Sequence, residues 1–321
     1  MDVLKEIESQ INFIKKEDES NYLDSVFTHI ERAEYYYFQG KKDANYFNDV
    51  IYRSNQAYEG ALKESYKVLA EKTINEVENK TPNQIEKYFE SNNIFRDRVL
   101  QLFTNYRQEW RNKSTHDYKL FFDESEAFIA LSTVNSFVHL LLKQIQEKLA
   151  YLKEQKLLSE EKEIVSEIIE SVNKKESLSE MLISLLVLFS RNNEKKFIDS
   201  PKEYRELELL GLINAYLDSI GIFTSVQREP KVSIGTKIYR PDFIIEKENE
   251  FLLLEILKIR AWGSVVRNAE NQILHYMQSM NIRNGILFIA MFNDISEEIH
   301  SRTEEYFFND IKYTLTVLTA K

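Results

Sequence analysis

The segment Trp110-Arg111-Asn112-Lys113-Ser114-Thr115-His116-Asp117-Tyr118 sets a guanidinium and an imidazole five positions apart. A histidine titrates near neutral pH, so it can take a proton from a ribose 2′-hydroxyl or return one to a leaving oxygen. An arginine stays charged and can clamp a phosphate as negative charge develops on it. Arg111 and His116 together carry the groups that transesterification of RNA needs, in which the 2′-hydroxyl attacks the adjacent phosphate and no metal takes part. Asn112 adds a polar side chain directly after the arginine. The plainer alternative is a cation favoured by the dipole at a helix C-terminus, followed by a loop histidine.

A second set lies in the last third of the chain. Tyr239-Arg240-Pro241-Asp242-Phe243 leads through a turn into Phe251-Leu252-Leu253-Leu254-Glu255-Ile256-Leu257-Lys258. Two adjacent strands that each set one carboxylate on a common face can hold a divalent cation for phosphodiester hydrolysis. Glu255 closes an apolar run, where a charge is costly unless it is paired or bound to metal. Glu206 and Glu208, on the preceding helix, are further carboxylates between which the sequence does not choose.

Two kinds of scaffold must position these residues. The chain has 7 glycines and 4 prolines, and its first 200 residues hold only Gly40, Gly60 and Pro82, so this part reads as successive helices. Phe47, Val50, Ile51, Ser54, Ala57, Tyr58, Ala61, Leu62 and Leu69 fall on one helical face, and Val99, Leu102, Phe103, Tyr106 and Trp110 repeat the pattern. So does the run from Phe128 to Ile145, opened by the capping pair Asp123 and Glu126. The periodicity predicts an all-α bundle of about four to five helices over residues 1–150. Residues 151–199 read as a Lys/Glu-rich helical connector, with Ser177 and Glu180 capping the apolar segment Met181 to Phe189.

Residues 200–321 form the second domain, whose period changes after Gly221. Ser200-Pro201-Lys202-Glu203 predicts a helix start, and Gly221 its close. Ile222 to Gln227, Val232 to Ile245 and Phe251 to Ile256 read as strands, Ser264 to Asn281 as a helix and Ile286 to Phe292 as a strand. A helix from Ser296 and a closing strand from Ile311 to Leu318 complete an αβββαβ core with an αβ extension.

Composition bounds the chemistry. With no cysteine, a disulfide framework, a thiolate metal site and a cysteine nucleophile are excluded. A formal net charge of −10 argues against a protein that coats nucleic acid through bulk positive charge. A nuclease needs only a local cationic site, and metal-holding carboxylates make a chain more acidic. The N-terminus is a charged amphipathic start rather than a signal peptide, and no unbroken apolar run approaches bilayer length, so a cytoplasmic protein with no membrane partner is expected.

Residues 1–150 resemble the HEPN superfamily of helical domains, whose RNase members carry Arg-x(4–6)-His with a polar residue after the arginine. Arg111, Asn112 and His116 stand at those positions. The resemblance implies a homodimer in which two motifs meet across a two-fold axis to make one composite RNase site without a cofactor. Tyr118 fits the Arg-x4-His-x-Tyr form of HEPN toxins, where a partner nucleotidyltransferase modifies the tyrosine; plain packing is the alternative. Asn55 and Glu59, one turn apart, either orient Arg111 or belong to a solvated helix face.

Residues from about 200 to 318 resemble the PD-(D/E)xK superfamily of restriction-endonuclease-like α/β domains, with Pro241-Asp242 as first half-motif and Glu255 as second acid. Gln272 and Tyr276 match the Gln-x3-Tyr element of some members. The resemblance implies Mg2+ or Mn2+ on Asp242 and Glu255. The family's lysine falls two residues beyond the acid, where this chain has Leu257. Alternation turns Lys258 away from Glu255 unless a bulge or strand end at Ile256 brings it round.

Three functions follow. The first is a metal-independent endoribonuclease whose C-terminal domain binds or cleaves nucleic acid, in prokaryotic antiviral defence by abortive infection or in a toxin–antitoxin system with an antitoxin or defence partner. The others are an Mg2+-dependent DNase dimerised by its helical domain, and a catalytically inactive nucleic-acid-binding module.

Overall fold

The computed structural model describes residues 3–17, 22–92, 94–95, 97–111, 121–175, 177–199, 206–259, 263–291 and 299–320. The chain divides into two compact units, Met1–Leu149 and Ala150–Lys321. The first is helical and the second combines helices with a mixed sheet.

In the first unit, α1 (Val3–Glu17), α2 (Leu23–Gly40), α3 (Tyr46–Leu69), α4 (Ile74–Glu78), α5 (Pro82–Ser91) and α6 (Asp97–Tyr106) lead into a π-helical turn, Arg107–Arg111, and then α7 (Glu124–Glu160). Side chains that satisfy the first free amides fix several helix starts. Thr73 with Glu76 and Thr81 with Gln84 form complete capping boxes. The expected pair is present too: the Glu126 amide donates to Asp123 Oδ1 at 2.8 Å and the Asp123 amide to Glu126 Oε2 at 3.0 Å.

The apolar stripes meet in one core, where Tyr58 lies with its ring 6.0 Å from Phe103, 5.0 Å from Tyr106 and 5.3 Å from Phe137. Burying side chains of this size stabilises the bundle by roughly 1.5–3 kcal/mol each. By length and composition α7 is apolar enough to cross a membrane, with a mean hydropathy of 1.3 over its best window. In the bundle its Ala127, Ala130, Val134, Phe137, Val138, Leu141 and Ile145 are buried, as in the core helix of a helical domain.

The second unit contains α8 (Lys162–Val172), α9 (Leu178–Asp199), α10 (Glu206–Ile220) and α11 (Ser264–Met280). Its strands are β1 (Ser225–Arg228), β2 (Val232–Ile234), β3 (Lys237–Tyr239), β4 (Phe243–Lys247), β5 (Glu250–Ile259), β6 (Asn284–Met291), β7 (His300–Phe308) and β8 (Ile311–Ala320). Six strands form one sheet in the order β1-β4-β5-β6-β8-β7, with β5, β6 and β8 parallel and the outer pairs antiparallel. One face packs Phe243, Leu252, Leu254 and Phe288 against Leu182, Leu185, Phe189, Leu209 and Ile213. The other packs Leu253, Leu287 and Ile289 against Ile273 and Met277 of α11. Both faces are thus covered, which is why β5 and β6 read as continuous apolar runs.

Four expectations change. Residues 151–199 are not a separate connector: α8 and α9 bury Ile168, Leu182, Leu185 and Phe189 in the sheet's own core. Val232 to Ile245 is three strands rather than one, because Gly235 turns at φ +60° between β2 and β3, and Pro241, with no amide to donate, precedes β4. The helix expected from Ser296 gives way to β7 from His300 onward. Asn309 and Asp310, at φ +49° and +61°, form a tight turn that pairs β7 with β8 as a hairpin. Among the described residues of the helical unit, six helices, a π-helical turn and most of α7 replace the expected four to five. Gly221 closes α10 at φ +63° as expected, while Ser200-Pro201-Lys202-Glu203 lies outside the described residues.

Candidate functional site

Asp242 sits one residue before β4 and opposite Glu255 of β5, since the next rung pairs Phe243 with Leu254. The two acids are interlocked. The Asp242 amide donates to Glu255 Oε1 at 3.0 Å, and the Ile256 amide donates to Asp242 Oδ2 at 2.8 Å. Each carboxylate is oriented by backbone of the other strand and keeps a second oxygen outside these bonds. Glu255 is 9% exposed.

Burial and mutual proximity make the pair reluctant to ionise twice. Desolvation pushes the Asp242 carboxyl up to about 6, opposed by the Ile256 amide and by the charge of Arg228. Desolvation and then the Asp242 charge push Glu255 up to about 8. Glu206 raises both, so of the two carboxylates left open on α10 it is Glu206 that acts on the pair; Glu208 is buried. Among the described residues no group of three or more His, Cys, Asp or Glu is arranged to hold a metal by side chains alone. The dyad nonetheless suits a hard divalent cation: two oxygen donors are held together at an electrostatic cost that a dication relieves, and water can fill its remaining coordination positions.

From α11, Tyr276 faces the same pair. Burial raises its hydroxyl above the ordinary tyrosine range, followed by the Glu255 charge, with Asp242 adding a smaller push. Gln272 Nε2 donates to the Tyr276 hydroxyl at 3.1 Å, and the Tyr239 ring lies 5.8 Å from that of Tyr276. Asp242, Glu255, Gln272 and Tyr276, chosen from sequence, are therefore brought together.

Lys258 is a correction. The β5–β6 ladder runs without a bulge from Leu252 to Ile259, so alternation places Leu257 on the face of Glu255 and Lys258 on the face of Leu254 and Ile256. Sequence reasoning missed Arg228, whose charge bears on Asp242. Its link to the site depends on the pairing of β1 with β4, and the only local sign was a charged Arg-Glu pair before Pro230.

In the helical unit, Asn112, His116 and Tyr118 lie outside the described residues, and Arg111 closes the π-helical turn. Just before that turn, the Tyr106 hydroxyl donates to Asn55 Oδ1 at 2.7 Å. Burial, then the Glu59 charge, raises the Tyr106 pKa well above its usual value. Asn55 and Glu59 thus act on the end of α6 rather than forming a purely solvated face. Within the turn Arg107 Nη1 pairs with Glu90 at 2.8 Å and lies 3.9 Å from the buried Glu86. Comparison with protein-family models, with curated proteins and with solved structures finds no match to this chain.

Proposed function

We propose that the C-terminal unit is a divalent-metal-dependent phosphodiesterase acting on nucleic acid, with Asp242 and Glu255 holding Mg2+ or Mn2+. The observation that carries this reading is the interlocked pair of buried carboxylates, each aimed by the other strand's backbone amide. Two acids that resist joint ionisation gain most from a dication. Such an ion would supply Lewis acidity at a phosphate oxygen and a water of lowered pKa. Tyr276 stays protonated through neutral pH and can donate to a phosphate oxygen, with Gln272 fixing its ring. Glu206 adds negative charge that favours cation binding. The test is cleavage of labelled DNA and RNA in Mn2+ by the full chain and by Asp242→Asn. Cleavage lost in the variant supports the reading, and equal cleavage by both removes it. Metal-independent nucleic-acid binding without cleavage would favour an inactive binding module.

A second reading keeps metal-independent RNA cleavage at Arg111 and His116, in a homodimer with two facing motifs. The observation favouring it is the π-helical turn that ends on Arg111, since such turns are frequent at functional sites. The Tyr106–Asn55 bond holds the helix end from which the turn departs.

A further inference from the structure

An edge strand offers a row of backbone donors and acceptors to any chain that can lie beside it, and proteins usually guard it with a proline, a bulge, a lysine or a short length. β7 closes one side of the six-stranded sheet, and among the described residues no strand lies beyond it. It runs for 9 residues, each opposite a residue of β8 with no bulge, and holds no proline, glycine or lysine. Because the Asn309–Asp310 turn has two residues, Phe308 and Ile311 form a hydrogen-bonded pair, and the pattern alternates from there. Ser301, Thr303, Glu305 and Phe307 therefore turn their amides and carbonyls outward. Phe307 and Phe308 are 71% and 52% exposed.

The guards on this edge are charges, and they select a partner. When two copies of one strand pair antiparallel about a two-fold axis normal to the sheet, one residue meets itself at the axis and the others pair in order on either side. Registers centred on Arg302, Glu304 or Glu305 put like charges directly opposite, which destabilises the pairing. The register centred on Thr303 instead sets Arg302 opposite Glu304 of the partner subunit, twice by symmetry. It also sets Ser301 opposite the partner subunit's Glu305, and the exposed Phe307 ring opposite the partner subunit's Ile299. Arg302 already bonds Glu304 of its own strand and Glu270 of α11, so its guanidinium is held on the face where the cross-axis pair would form. We infer that β7 is a self-pairing edge through which two copies of this chain join their sheets, with Thr303 on the axis. The inference stands apart from either reading of the reaction.

The chain has no cysteine, so Thr303→Cys introduces a single thiol. Facing Cα atoms in a hydrogen-bonded antiparallel pair lie about 5.5 Å apart, within disulfide range. Under a mild oxidant, the full chain carrying Thr303→Cys should form a covalent dimer at least about 10-fold faster than one carrying Phe307→Cys, because contact raises the effective concentration of facing thiols. The two copies of position 307, although exposed, would stand roughly 27 Å apart at about 3.4 Å per residue. Sedimentation equilibrium should show a dimer dissociating in about the micromolar range, as expected of a contact below standard size. Glu305→Pro removes an outward amide and leaves the bonds to β8 in place. It should weaken dimerisation at least about 10-fold, equivalent to about 1.4 kcal/mol, with Tm near that of wild type. Arg302→Glu should weaken it similarly, and adding Glu304→Arg should restore it. Equal oxidation rates for the two thiols would overturn the inference. A dimer that Glu305→Pro leaves unchanged would also overturn it, because the copies then meet elsewhere. A chain that stays monomeric would do the same, leaving the edge to an extended segment of another protein.

Discussion

Asp242 and Glu255 are held face to face by an exchange of backbone bonds: the amide of the first donates to the second, and the amide after the second donates to the first. Neither carboxylate can swing away without stranding a backbone donor. This is preorganisation of a donor pair, and it separates the pair from two acids that merely share a surface.

The pair should make stability depend on pH in an unusual direction. In an unfolded chain both acids ionise near their ordinary values, about 3.9 and 4.3; in the fold they are raised to about 6 and about 8. The native state therefore keeps protons that the unfolded state has released. This contribution is fully present below about pH 4 and is lost as pH rises through about 8. In EDTA the Tm of the wild type should fall across that window relative to the double variant Asp242→Asn, Glu255→Gln. Parallel curves would show that the fold does not raise these acids.

Divalent metal should reverse that loss. Saturating Mn2+ at about pH 8 should raise the wild-type Tm, whereas Glu255→Gln should respond weakly, because ligand binding to the native state stabilises by mass action. Calorimetry reads both outcomes, and an equal response would place the ion elsewhere.

Gly285, at the start of β6, sets how closely α11 approaches the sheet. A Cβ there would come within 2.5 Å of Met277 Sδ and 3.2 Å of Ile273 Cδ1. Gly285→Ala should cost about 1–3 kcal/mol through overpacking. Because α11 carries Tyr276, the variant should lose metal-dependent cleavage beyond what its fraction unfolded explains. Urea unfolding alongside single-turnover kinetics separates the two effects.

Tyr106→Phe removes the hydroxyl that meets Asn55 Oδ1 in the bundle core. The expected destabilisation is about 1–2 kcal/mol, the cost of losing a buried hydrogen bond to a side chain. If the π-helical turn presents Arg111, RNA cleavage in EDTA should fall in this variant at temperatures where it remains folded. His116→Ala should abolish that activity while leaving Tm near that of wild type. Retained cleavage in His116→Ala would end the metal-independent reading.

Local chemistry was the legible part of this sequence. Helix starts at Asp123 and Ser177 follow from side chains three residues apart, and the amides of Glu126 and Glu180 do bond back to them. Asp242 and Glu255 could be paired on paper because they belong to one hairpin, whose register follows from alternation. The β7 strand was hidden because its charged residues, Arg302, Glu304 and Glu305, suit an exposed helix as well as an exposed strand; the informative residues were Asn309 and Asp310, at the turn. Arg228 was hidden for a different reason: nothing near it in sequence announces that β1 lies against β4.

The hairpin origin of the dyad also bears on the order of assembly. Asp242 and Glu255 are 13 residues apart, so their strands close a short loop, whereas β6 and β8 must join through longer excursions of the chain. Repulsion between the acids is thus met by the earliest piece of sheet, before α11 and its neighbours can shield it. Refolding should accelerate wherever that repulsion is muted, by acid, by amide substitution or by a dication, which makes the speed of self-assembly a gauge of the same charges that would serve the reaction.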